Sequence, residues 1–242
     1  GGSDAADDSG VYQYISIRHG GALIGEGNEI NGLTLGGVGS GTVIENIEVV
    51  GNVDDGIEFF GGTVNASNLL IWAQGDDALD IDQAYSGTIN NAVVILGANS
   101  DHAFEIDGPE GAATGSFTLN NVTIIGNSVT EDGEYADYRS GAMGSTENIY
   151  AYGFKETSDV ELDNDGVATN YNNGLLTFGA WEIVLPSGVS DVASIFVNKA
   201  SAVEVSGFGS TATAVTEGVN TVGATTSLLS WTYANSKAGL GF

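Results

Sequence analysis

The chain has 242 residues, with 32 Asp and Glu against 5 Lys and Arg and a formal charge of −27. A surface this anionic excludes nucleic-acid binding and anionic-membrane binding, both of which need basic patches. Hydrophobic residues make up 42% of the chain, too many for a disordered acidic tail, and with no Cys there are no disulfides or thiolate metal sites.

Thirty-seven Gly and two Pro among β-branched runs predict short strands joined by tight turns. Residues 1–10 (Gly1-Gly2-Ser3-Asp4, then Asp7-Asp8-Ser9-Gly10) read as a flexible N-terminal segment. A mature protein that has lost a secretion signal, or a lipoprotein that has lost its anchor Cys, would begin this way. No apolar run approaches the roughly 18 residues of a membrane-spanning helix, so no transmembrane span is expected. The acidity suits a secreted, saline or calcium-containing setting.

From residue 11 a repeat sets in. Gly32-Leu33-Thr34-Leu35 heads one copy. Asp54-Asp55-Gly56-Ile57-Glu58-Phe59, Asp76-Asp77-Ala78-Leu79-Asp80-Ile81 and Asp101-His102-Ala103-Phe104-Glu105-Ile106 head the next three. Starts at 32, 56, 78 and 103 lie 24, 22 and 25 residues apart. Each is followed by Gly-rich sequence, a β-branched stretch, an Asn at 46, 68, 91, 121 or 148, and a further apolar alternation. Such a period fits three short strands and three turns, one rung of a parallel β-helix, with like strands stacked about 4.8 Å apart. Leucine-rich repeats lack their consensus here, and propeller blades need roughly 40 residues. The five Asn then fall at one turn, where Asn tolerates left-handed backbone and its amide can donate to the next Asn in a ladder.

The expected fold is therefore all-β: a right-handed parallel β-helix of five or six rungs over residues 11–154. Residues 155–242 are expected as an irregular β continuation with a C-terminal cap. Segment 127–141 carries a longer turn, 155–174 an acidic, Asn-rich loop. Ser227-Leu228-Leu229-Ser230-Trp231-Thr232-Tyr233 is expected to cover the open end, and uncapped N-terminal edges to favour end-to-end association.

The Asn turn before Ile47, Leu69, Ala92, Val122 and Ile149 resembles that of pectate-lyase-type β-helices. The stretches Asn28–Thr42 and Asp54–Val64 resemble secreted or lipoprotein β-helix proteins of marine and Bacteroidetes-like bacteria. That resemblance implies fold and secretion and brings no activity.

Alternation places Ile57, Phe59, Leu79, Ile81, Phe104 and Ile106 in the core. Glu58, Asp80 and Glu105 then point outward from one position of three successive rungs, with Asp82 and Asp107 two residues on and Asp55, Asp77 and His102 at the preceding turn. Carboxylates about 4.8 Å apart repel by about 3.5 kcal/mol at an effective dielectric near 20, and five cationic side chains are too few to neutralise them. Three readings follow. The face is solvated and screened by salt; or Asp55, Glu58, Asp77, Asp80, Asp82, Glu105 and Asp107 bind a hard cation, Ca²⁺, which takes six to eight oxygens; or the face is catalytic. A weaker calcium loop is Glu161, Asp163, Asp165 and Gly166, with Asn172 in place of the closing Glu.

The catalytic reading rests on a resemblance to polygalacturonase-type glycoside hydrolases, carried by Asn52-Val53-Asp54-Asp55-Gly56, Gly75-Asp76-Asp77, Ser100-Asp101-His102 and Tyr138-Arg139-Ser140. It implies Asp77 as general acid, Asp55 and Asp76 activating water, and His102 supporting the acid. His102 lacks its flanking Gly, however, and Arg139 is followed by Ser140-Gly141 with no Lys. Trp72, Trp181 and Trp231 suit either core packing or stacking on sugar. The favoured function is an extracellular, calcium-binding structural or adhesive protein that self-associates into a surface layer or filament. The alternative is a polysaccharide-active hydrolase or carbohydrate-binding module, its partner an extracellular polysaccharide.

Overall fold

Strands form here because β-branched and aromatic residues alternate with polar ones, while Gly, Asn and Asp interrupt each run before a helical period can build. The computed structural model describes residues 4–22, 30–130 and 132–242; part of the Asn28–Thr42 resemblance and Glu131 lie outside them. In chain order the strands are β1 (Val11–Arg18), β2 (Leu33–Gly36), β3 (Val43–Val50), β4 (Ile57–Phe60), β5 (Asn65–Trp72), β6 (Leu79–Asp82), β7 (Thr88–Ile95) and β8 (His102–Asp107). They continue with β9 (Phe117–Ile125), β10 (Glu134–Arg139), β11 (Gly144–Tyr152), β12 (Val160–Leu162), β13 (Leu176–Phe178), β14 (Trp181–Ile183), β15 (Phe196–Asn198) and β16 (Ala212–Ala214).

One sheet runs β1-β3-β5-β7-β9-β11-β14-β16, with β13 also on β11; the other runs β15-β12-β10-β8-β6-β4-β2. The pairings are parallel. The chain is a parallel β-helix. Each long strand carries a left-handed residue near its middle: Tyr14, Asn46, Asn68, Asn91, Asn121 and Asn148 have φ between 55° and 62°. That bend divides the long sheet into two faces, and the short strands supply the third.

The asparagine column stands in register, but its amides are wired less simply than a single ladder. Asn91 donates to Asn68 at 2.8 Å, whereas Asn121 and Asn148 donate to Asn90 and Asn120, one residue earlier in the rung before. Rungs that carry Asn at both positions offer two acceptors, and the shifted one is used. Asn91 Oδ1 instead accepts the Thr225 amide at 2.6 Å.

Inward columns form the core. Ile57, Leu79, Phe104, Ala136 and Val160 stack in one, and Phe59, Ile81, Ile106, Tyr138 and Leu162 in another, all buried. Residues 4–10 bond to the turn at 39–43, with Ser40 and Gly41 donating to Ala5 and Asp7 carbonyls. Gly39 is required there, since a Cβ would sit 2.3 Å from the Asp7 nitrogen.

Strands β12 to β16 carry the stack on through the region expected as a β continuation. The far end departs from expectation in two ways. The acidic stretch 155–174 is not a loop: it holds β12 and the helix α1 (Asp165–Asn172), capped by Asn164, whose side chain accepts from the Gly166 and Val167 amides. The C-terminal segment does not cover the open end. It folds back as a strap across the outer face of the long sheet, ending in the helix α2 (Tyr233–Ala238). The cause is the sheet's own surface. Leu70, Val93 and Ile95 point outward yet are apolar, and Leu229 and Ala234 bury them. Polar anchors line the route: Tyr150 Oη, Glu182, Thr123 Oγ1 and Asn91 Oδ1 accept from Gly218, Thr221, Ala224 and Thr225 amides in turn. Glu48, fully buried, then accepts from Ala234 N at 2.7 Å and from the Ser16 hydroxyl. Trp231 packs edge-on against Tyr14, Trp72 joins the apolar patch beneath the strap, and Trp181 is a core residue.

Candidate cation site on the acidic wall

The register of the short strands forces like side chains into a column. Thr34, Glu58, Asp80, Glu105, Asp137, Glu161 and Val197 are successive partners. Five carboxylates in a row thus sit about 4.8 Å from one another. Crowding shields them from water: Glu58, Asp80, Asp137 and Glu161 are all buried although they point away from the core. Sequence reading stopped at Glu105. It missed Asp137 and Glu161 because the long turns around 108–116 and 127–133 break the period, although the alternation Tyr135-Ala136-Asp137-Tyr138 carries the signal.

Two of the five Lys and Arg stand on this wall, too few to neutralise it as expected but enough to pair with part of it. Arg139 pairs with Glu105 at 2.6 Å and Asp107 at 2.7 Å. Lys199 pairs with Glu161 and lies 3.7 Å from Asp159. Both sit at the C-terminal half. Among the described residues, Asp55, Glu58, Asp76, Asp77 and Asp80 of the N-terminal half are not among the carboxylates that Lys or Arg pairs with.

There the ligand atoms of Asp55, Glu58 and Asp80 lie within 4.8 Å of one another, and all three residues are buried. Asp55 Oδ1 accepts the Asp77 amide at 3.1 Å and Asn31 donates to Glu58. Asp80 Oδ1 is buried with no hydrogen-bond partner among the described residues. Burial first, then the charge of Asp77, pushes the Asp55 carboxyl up to about 8. Burial, followed by the charges of Asp55, Glu105 and Glu58, drives Asp80 far above the carboxylate range. Glu58 rises as well, chiefly through burial. Without a counter-cation this pocket holds protons; with one it can hold three carboxylates. Asp54, Asp55 and Asp76 form an adjoining group that shares Asp55.

The other acids named from sequence are engaged elsewhere. Asp77 Oδ1 accepts both the backbone N–H of His102 at 2.7 Å and its Nδ1 at 2.9 Å. Burial works against the His102 cation, yet the hydrogen bond and charge of Asp77 hold its pKa at about 9. Asp82 accepts the Gln83 amide at 2.7 Å, and Glu105 and Asp107 face Arg139. At the turns, then, Asp55 and Asp77 each accept the amide of the following rung, which is a structural use of a carboxylate. Glu134, Asp159 and Glu161 also cluster, but Lys199 already occupies them. The weaker calcium loop does not form: Glu161 belongs to β12, Asp165 bonds the Ala202 amide, and Asn172 ends α1 and donates to the Glu204 carbonyl.

As for hydrolysis, the described cavities are lined by none of Asp55, Asp76, Asp77 or His102. Arg139, the Arg of the Tyr138-Arg139-Ser140 resemblance, is held by Glu105 and Asp107 of its own chain. No helix among the described residues is long and apolar enough to cross a membrane.

A family model described as a pectate-lyase like beta helix domain matches residues 1–235. No curated protein and no solved structure matches the chain.

Proposed function

The chain belongs to the pectate-lyase-like β-helix family, and we propose that it uses this fold as a secreted structural protein stabilised by Ca²⁺ on its acidic wall. One observation carries the reading: Asp55, Glu58 and Asp80 converge, buried, and among the described residues no Lys or Arg pairs with them and Asp80 Oδ1 finds no hydrogen-bond partner. An all-oxygen set suits a hard cation such as Ca²⁺, which accepts irregular geometry and completes its shell with water and carbonyls. Arg139 and Lys199 do the same electrostatic work further along the column, so the cation would complete a series the protein begins with its own side chains.

An adhesive or self-assembling role rests on β1. Val11 and Tyr14 are 66% and 65% exposed, and Tyr12 and Ile15 are also exposed. An apolar edge of this kind favours addition of further strands.

The test is calorimetric titration of Ca²⁺ into chelator-stripped protein, with Asp80→Asn beside it. Saturable binding that disappears in the variant is expected. Absence of binding together with an unchanged melting temperature would refute the calcium reading. Sedimentation with and without Ca²⁺ tests assembly, and a monomer under both conditions would refute it.

A further inference from the structure

Beside the last rungs, away from the acidic wall, the chain encloses a second feature of a different chemical kind. Tyr171 from α1, Phe178 from β13 and the segment 206–211 surround a cavity of about 370 Å³, within the usual range of small-molecule sites. Its wall is aromatic: Tyr171 and Phe178 both line it, their ring centroids 6.0 Å apart, and Phe208 packs against the two rings at 5.3 and 5.1 Å without lining the cavity itself. Its rim is hydroxylic, with Ser206, Ser210 and Thr211 alongside Thr177 and Asn172. Gly207, exposed and with φ of 77°, keeps the backbone bare at the mouth, while Gly209 is buried where a Cβ would meet the Phe196 ring at 2.7 Å. In a chain with 32 Asp and Glu, no Asp, Glu, Lys, Arg or His is found among the described residues that line this cavity.

That inventory narrows the ligand by elimination. A cation finds no carboxylate here and a whole wall of them elsewhere. An anion meets no basic group and must approach a molecule of charge −27. A purely apolar ligand would strip water from five polar side chains and return nothing to them. What fits is an uncharged molecule with one apolar face and a perimeter of hydroxyls, since aromatic faces take the former and Ser, Thr and Asn both donate to and accept from the latter.

We propose that this cavity is a binding site for a neutral pyranoside, the sugar ring against the aromatic wall and its hydroxyls on the Ser206–Thr211 rim. This site is independent of the calcium reading and would tether the β-helix to an uncharged glycan.

Saturation-transfer NMR and calorimetry with cellotetraose, xylotetraose, mannotetraose and chitotetraose test it, with tetragalacturonate as the anionic control. Binding of at least one neutral tetrasaccharide is expected, weakened at least tenfold by Tyr171→Ala and by Ser210→Trp, which fills the cavity from an exposed position. Asp80→Asn, which removes the proposed calcium site, should leave sugar binding unchanged. Thermal melts establish that each variant is folded; should Tyr171→Ala fail, Ser210→Trp decides alone. Three results would each overturn the proposal: no neutral sugar binding, binding untouched by the cavity variant, or binding of tetragalacturonate only.

Discussion

Replacing Asp80 by Asn should make the metal-free protein more stable, the reverse of what removing a buried side chain's charge usually does. Asp80 stands between Glu58 and Glu105 in the column. At about 4.8 Å and an effective dielectric near 20, each ionised neighbour costs about 3.5 kcal/mol. Protonation relieves that repulsion, but retaining a proton above the unfolded pKa of about 4 costs about 1.4 kcal/mol per pH unit. Either route leaves a burden of several kcal/mol at pH 8, and Asn removes most of it. For a chain of this size a gain of about 3 kcal/mol raises the melting temperature by about 6–12 °C. At pH 5 the carboxyl is protonated cheaply, so the gain should shrink below about 1.5 kcal/mol. Scanning calorimetry with EDTA at both pH values reads the difference. With Ca²⁺ at a thousandfold excess over Kd the order should invert, because the wild type alone then gains about 4.1 kcal/mol. A variant less stable than wild type at pH 8 in EDTA would refute the argument, since it would mean that the Asp80 charge is already compensated.

The wild type should show the same electrostatics in its pH profile. Carboxyls raised in the folded state, to about 8 for Asp55 and Glu105, bind more protons folded than unfolded. Stability without metal therefore falls as pH rises from about 4 to about 8, and saturating Ca²⁺ should flatten the profile in thermal melts. Arg139→Gln uncovers Glu105 and Asp107. Because Arg139 is 37% exposed, the expected loss is about 1–2 kcal/mol in urea unfolding, and an unchanged midpoint would argue against the pairing. Glu48→Ala removes the acceptor for Ala234, so hydrogen exchange of residues 230–242 should accelerate, with a stability loss of about 1–3 kcal/mol.

Much of the architecture was readable because a β-helix writes its geometry into sequence at a fixed spacing. Glu58, Asp80 and Glu105 could be aligned since Gly-rich turns of similar length separate them. Asp137 and Glu161 could not, because the two long turns destroy the period while strand pairing restores the register in space. Arg139 and Lys199 were invisible as partners of the wall for a simpler reason: a count of cations says nothing about where they gather. The strap was misplaced because apolar residues at 227–233 announce burial without naming the surface, and the outward-facing Leu70, Val93 and Ile95 that receive them look like ordinary strand residues. The cavity between Tyr171 and Ser210 depends on segments more than thirty residues apart, joined only by the winding of the chain.

The strap also changes how the molecule should come apart. In a stack where every rung touches only its neighbours, melting can begin at an end and creep inward. Here the segment from Gly218 to Phe242 crosses from β14 back to β1, joining Tyr150 and Glu182 at one extremity to Tyr14, Arg18 and Glu48 at the other. Neither β1 nor β14 can leave the stack without first peeling this belt, so the long sheet between them is expected to come apart all-or-none, and its resistance to pulling or proteolysis should depend on a handful of contacts outside the helix itself.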